Sequence, residues 1–185
     1  MRIIDKESIS GKVLRSIAIG AGILVVMSNK RASYQLTKAL VKEILGKRKD
    51  LNLNREIYRL RKQKLIDIKN TDHGEKIVLT EEGKKIILRF DYQNLKLKKK
   101  IVWDYKWRMI LFDIPNTKKS KRDIFREKVK EMGCVRFNDS VWIYPFPCQK
   151  EIDFVANYWN IGKYIHFAVI SKITNEEILK KHFNL

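Results

Sequence analysis

The stretch "KWRMILFDIPNTKKSKRDIFREKVKEMGCVRFNDSVWIYPFPC", Lys106 to Cys148, decides the reading of the second half of the chain. "WRMILFDI" is a nearly continuous apolar run, as expected of a buried strand. Ile114 precedes Pro115 and is held extended, so the strand must turn there. "SKRDIFREKVKEMG" places Phe125, Val129 and Met132 at helical spacing. Ser120 and Asp123 have the spacing of a capping box, and Gly133 is a natural stop. Two short strands are expected around Asn138-Asp139 in "CVRFNDSVWIYPF". A helix in "KEIDFVANYWNIG" would bury Ile152, Val155, Ala156 and Trp159. "YIHFAVISKI" supplies the last strand. The order βαββαβ is that of the ferredoxin-like unit.

The first half has a different pattern. Helix is expected from Ser8 to about Met27, with "SIAIGAGILVVM" (Ser16 to Met27) as a buried core segment. Its apolar run is roughly half the ~20 residues of a membrane span. Arg15 and Lys30 close it on both sides, and no signal-peptide cleavage site follows. "SYQLTKALVKEILG" (Ser33 to Gly46) lines Leu36, Leu40, Ile44 and Leu45 on one helix face, with Gly46 as its stop. A third helix is expected in "LNLNREIYRLRKQKL", capped by Asn52 or Asn54, with Ile57 and Leu60 inward. "LIDIKNTDHGEKIVLT" then changes to alternation. Ile66, Ile68, Ile77 and Leu79 mark the two arms of a hairpin around "NTDHGE". Thr80 caps a further helix, "TEEGKKIILRF", with Glu81 and Glu82 against its dipole.

The expected fold class is therefore α+β: an N-terminal winged helix-turn-helix followed by a ferredoxin-like βαββαβ domain. Residues 1–95 form the first domain and 106–185 the second. Residues 96–105, within "LKLKKKIVWDYK", are read as a basic, solvated linker.

Charge narrows the function. The chain of 185 residues carries 40 Lys+Arg against 21 Asp+Glu, a formal net charge of +19. Such a surplus calls for a polyanionic partner, and nucleic acid fits best. Cys134 and Cys148 lack metal-site spacing, which argues against a zinc site and is consistent with a reducing cytoplasm. No Gly-rich phosphate loop, nucleophile elbow or clustered His/Asp/Glu set is present. No cofactor is expected, apart from Mg²⁺ or Mn²⁺ under the nuclease reading below.

The third helix is the strongest candidate for contact with double-stranded DNA. With Ile57 and Leu60 inward, Asn54, Arg55, Tyr58, Arg59 and Lys62 occupy its other faces. The N-terminal part of such a helix enters the major groove. Arg can bond both acceptors of guanine, whereas Lys mostly positions the protein on phosphate. Lys69, His73 and Lys76 mark the wing as a second contact. Asp113, at a strand end beside a basic segment, has two readings. It could hold a metal against a phosphate, or bond the turn and pair with Lys118, Lys119 or Arg122.

"IYRLRKQKLIDIKNTDHGEKIVLTEEGKK" resembles winged-helix regulators, which carry Leu-x-x-x-x-Leu-Ile, then a wing, then Leu-Thr-x-x-Gly. The stretch from Lys106 resembles the central domain of the phenylacetate-degradation repressor (PaaX) family. Shared features are the Trp-Arg strand, the Phe-Asp-Ile-Pro turn, the Arg-rich helix and a "GVWIYP"-like strand, here "SVWIYP" (Ser140 to Pro145). The same domain is similar to the small CRISPR-adaptation nuclease, the second Cas protein. In that family the acid matching Asp113 is thought to bind a divalent metal between two protomers. The resemblance implies a homodimeric transcriptional repressor. The alternative is a metal-dependent nuclease, or a DNA-clamping component of an adaptation complex. The repressors continue into a C-terminal helical region. Their effector site is not expected to carry over to the sequence up to Leu185, and the effector stays unassigned.

Overall fold

The computed structural model describes residues 4–18, 24–25, 53–71, 74–98 and 102–185. They fall into two compact units, Met1–Asp91 and Tyr92–Leu185.

In the first unit, α1 (Ile9–Ala18) is followed by β1 (Leu24–Val25), α2 (Leu53–Lys62), β2 (Ile66–Thr71), β3 (Gly74–Leu79) and α3 (Glu81–Asn94), whose end crosses into the second unit. The three strands form one antiparallel sheet in the order β1-β3-β2. The helix expected to run to Met27 ends at Ala18, and Leu24–Val25 pairs with Glu75 and Lys76 of β3. The sequence accounts for the change. Gly20 and Gly22 weaken a helix, whereas the run Ile23 to Val26 favours a strand. The helix expected over Ser33–Gly46 lies outside the described residues, as do Asn52 and His73. The core joins Val13, Leu14 and Ile17 of α1 to Leu60, Leu65, Ile66, Ile77, Ile86 and Phe90.

The start of α3 is fixed by a group of close contacts. The Thr80 hydroxyl donates to the Lys64 carbonyl at 2.6 Å and accepts from the Gly83 N–H at 3.1 Å. The Thr80 N–H donates to the Leu65 carbonyl at 3.1 Å. A Cβ on Gly83 would lie 2.0 Å from that carbonyl oxygen, so only glycine lets the two segments approach so closely.

The second unit contains β4 (Trp107–Phe112), α4 (Lys119–Glu131), β5 (Val135–Asn138), β6 (Val141–Tyr144), α5 (Gln149–Tyr158), β7 (Ile165–Ile170) and α6 (Glu176–Phe183). The sheet order is β5-β6-β4-β7, every neighbouring pair antiparallel. Each helical crossover skips one strand, as in the ferredoxin-like unit. Phe125 and Val129 of α4, Ile152, Val155 and Ala156 of α5, and Ile110, Phe112 and Ile143 of the sheet form the centre of the core. Helix α4 starts one residue before Ser120, from Lys118 and without a side-chain cap, because a 3-10 turn over Asn116–Lys118 leads directly into it. The expected Ser120–Asp123 box therefore does not form. Gly133 ends the helix at φ +98°, with Cys134 N–H bonded to Val129 O and Gly133 N–H to Lys130 O.

Two features go beyond the sequence expectations. Leu95, Leu97 and Trp103 of the basic connector pack, half-buried, against the second core. The chain also ends in α6, which sends Leu179 and Phe183 into that core.

Candidate nucleic-acid interface

Helix α2 is amphipathic by placement. Leu60 is fully buried and Ile57 packs half-buried against the first core. Arg55, Tyr58, Arg59, Arg61 and Lys62 are exposed, and Tyr58 keeps 68% of its surface in water. Asn54 lies in the first turn. Lys64 takes a left-handed conformation, φ 58°, that closes the helix, and Leu65 N–H returns to Leu60 O at 3.0 Å. Leu60 and Leu65 thus pin the helix at its C-terminal end. A buried hydroxyl anchors its first turns. Ser10 of α1 donates to Glu56 Oε2 at 2.6 Å, and the other oxygen of Glu56 pairs with Arg59 at 3.6 Å.

The hairpin follows directly. Register pairs Ile66 with Leu79, Ile68 with Ile77 and Lys69 with Lys76. Lys69 is exposed. Arg61 was not among the sequence candidates, although its basic character on an exposed turn of α2 was legible.

Asp113 stands at the end of β4 with its carboxylate exposed. Its N–H donates to the Tyr164 carbonyl at 3.0 Å. Among the described residues its carboxylate forms neither an ion pair nor a hydrogen bond, so the expected pairing with Lys118, Lys119 or Arg122 is not made. The cations have other partners. Arg122 Nη1 donates to Asn116 Oδ1 at 2.9 Å, Lys121 Nζ to the Trp159 carbonyl at 2.8 Å, and Arg126 Nη2 to the Asp139 carbonyl at 2.8 Å. No group of three or more His, Cys, Asp or Glu that could hold a metal ion exists among the described residues. A single carboxylate in one chain does not make a metal site by itself.

The aromatic and basic string that characterises the second unit is structural. Trp107 is fully buried, and its indole Nε1 donates to Glu176 Oε1 at 2.9 Å. Arg108 is 5% exposed. Its guanidinium grips both oxygens of Asp104, at 2.6 and 2.5 Å, and the carbonyls of Lys106 and Pro145, at 2.7 and 2.6 Å. The Trp-Arg pair therefore joins the connector to the end of "VWIYP". Trp142 is buried in the core and Trp159 half-buried against it. Tyr144 is buried too, and burial pushes its phenol up to about 12. Cys134 and Cys148 are free and buried. Burial raises both thiols, that of Cys148 to about 12.

No described helix is long and apolar enough to cross a membrane. No curated protein matches the chain. Residues 100–180 match the family described as the PaaX protein central Cas2-like domain. That span lies wholly within the second unit, whose strand order is that of the ferredoxin-like unit expected from the sequence. Over residues 100–180 the second unit is thus similar to the PaaX central Cas2-like domain.

Proposed function

We propose that the protein is a sequence-specific double-stranded-DNA-binding transcriptional regulator, acting as a repressor and as a homodimer. The carrying observation is helix α2. It buries Leu60 while leaving Arg55, Tyr58, Arg59, Arg61 and Lys62 exposed, and an antiparallel hairpin bearing Lys69 follows it. A winged helix-turn-helix needs this combination of a pinned basic helix and an adjacent wing. The order α1, α2, β2 and β3 among the described elements supports that reading. The net charge of +19 supports a partner rich in phosphate, and the similarity of residues 100–180 to the PaaX central domain supports a regulator. In this reading Arg55 and Arg59 meet base edges and Lys62 and Lys69 meet phosphate.

The test is selection of bound sequences from random duplexes by the full chain, followed by gel shifts. A defined operator is expected, with Arg55→Ala and Arg59→Ala each weakening it roughly 5–150-fold, the equivalent of about 1–3 kcal/mol per specific base contact. Enrichment of no sequence, with binding set only by duplex length, would favour a DNA-clamping role instead. Unchanged affinity in both variants would remove α2 as the reading helix.

A further inference from the structure

The end of the second unit's sheet carries a convergence of charge that the regulator reading does not use. β4 and β7 pair in a register that sets Phe112 against Ile165. The residues just beyond them, Asp113 and Tyr164, are joined through the Asp113 N–H. The 3-10 turn after β4 (Asn116–Lys118) and the 3-10 turn before β7 (Gly162–Tyr164) therefore meet at one end of the sheet. Each contributes a lysine to the same ring. Lys118 Nζ lies 5.1 Å from the Tyr164 centroid and Lys163 Nζ 5.0 Å from it.

Two ammonium groups held to one phenol repel one another. The ring's negative face offsets part of that cost, on the order of 1 kcal/mol for each cation. Neither lysine has a carboxylate within ion-pair distance among the described residues. Asp113, three residues before the turn, pairs with neither. The phenol registers the local field: partial burial raises its pKa, but the two neighbouring ammonium groups outweigh that and lower it. The groups present are two donors of full charge and a hydroxyl, with Lys163 exposed and Lys118 and Tyr164 half-buried, and among the described residues neither lysine is ion-paired to a carboxylate. A tetrahedral oxyanion with several acceptor oxygens satisfies all three.

We infer that Lys118, Lys163 and Tyr164 form a binding site for one phosphate group, separate from helix α2. The phosphate belongs either to a nucleic-acid backbone or to a phosphorylated small molecule. In the first case the second unit grips DNA by its backbone, adding affinity without sequence information. In the second the site takes an effector.

Full-length Lys118→Gln/Lys163→Gln is compared with Lys150→Gln/Lys181→Gln, which removes the same charge from two exposed lysines elsewhere on the unit. Affinity for a random-sequence duplex is measured against salt, and binding of inorganic pyrophosphate by calorimetry. The duplex arm rests on the DNA-binding reading; the pyrophosphate arm does not, and so it decides even if no duplex is bound. A slope of log K against log[salt] shallower by about 0.9 in the Lys118/Lys163 variant alone identifies a backbone phosphate. An unchanged slope with pyrophosphate affinity reduced tenfold or more in that variant identifies a small phosphorylated ligand. Equal behaviour of the two variants in both measurements overturns the site.

Discussion

Arg108 and Asp104 form a two-pronged ion pair in which the guanidinium is almost wholly buried while the carboxylate is about half exposed. The guanidinium's other bonds go to the backbone carbonyls of Lys106 and Pro145. One side chain of β4 thus closes the connector onto the strand end after β6. Asp104 is the exposed member, yet it is the residue whose charge makes the buried cation tolerable.

The arrangement predicts an acid-sensitive contact. The Arg108 bonds hold the Asp104 carboxyl at about 2, below its ordinary 3.8. A carboxyl depressed by folding stabilises the folded state above its unfolded value, and that contribution fades as pH falls through the folded value. It is therefore complete above about pH 4 and lost between about pH 4 and 2. Asp104→Asn should lower stability at pH 7 by about 1 kcal/mol, the value of a charged hydrogen bond discounted for the exposed carboxylate. The variant and parent should converge toward pH 2. Urea melts across that range measure this, and a constant difference at every pH would refute it.

Gly83 predicts a second effect. A Cβ there would sit 2.0 Å from the Leu65 carbonyl oxygen, a backbone atom that cannot swing aside. Gly83→Ala should destabilise the first unit by about 1–3 kcal/mol, despite the better helix propensity of alanine. Ser at the same position should behave alike, since it carries the same Cβ. Thermal unfolding followed by circular dichroism would show the loss, and an unchanged or raised midpoint in Gly83→Ala would count against the contact.

These two positions show why the sequence could be read as far as it could. The motifs that carried the resemblance, Trp107-Arg108, "VWIYP" and Leu-Thr-x-x-Gly, are close contacts within the chain, so they announce a fold well and a reaction poorly. Periodicity found the helices and strands that bury one face, among them α2, α4, α5 and the β2–β3 hairpin. It does not mark α6, although Glu176, Glu177, Leu179 and Phe183 have a helix's charge and spacing, because eight residues are too few for a periodic pattern to stand out. It carried α1 too far, since Ile, Leu and Val serve both periods and only pairing with β3 settles which. Asp113 looked like chemistry because a sequence cannot show where neighbouring lysines point. The Tyr164 site was illegible for the same reason: Lys118 and Lys163 are far apart in sequence and meet only through the β4–β7 register.

The two cysteines should be inert in the folded protein. The thiolate is the reactive species, and burial raises both thiols far above neutral pH. Reaction of the native chain with a thiol-specific reagent at pH 8 should therefore follow the rate of opening rather than the reagent concentration. Two thiols should titrate at once in denaturant. Fast reaction of either in the native state would contradict the buried placement of Cys134 and Cys148.

Ser10 offers the last prediction, and it connects packing to binding. Its hydroxyl, 6% exposed, donates to Glu56 at 2.6 Å, and Glu56 in turn pairs with Arg59 on the outer side of α2. Removing the hydroxyl leaves the carboxylate one donor short at the interface of α1 and α2. Ser10→Ala should cost about 0.5–1.5 kcal/mol of stability, the usual net worth of a hydrogen bond. Ser10 itself is buried, so a loss of operator affinity would act through Glu56 and Arg59. With Glu56 freed to follow Arg59, the guanidinium is held less firmly for a base edge. Operator affinity should then fall while affinity for unrelated duplex, set by phosphate contacts, stays the same. Equal weakening on both duplexes would show that Ser10 serves stability alone.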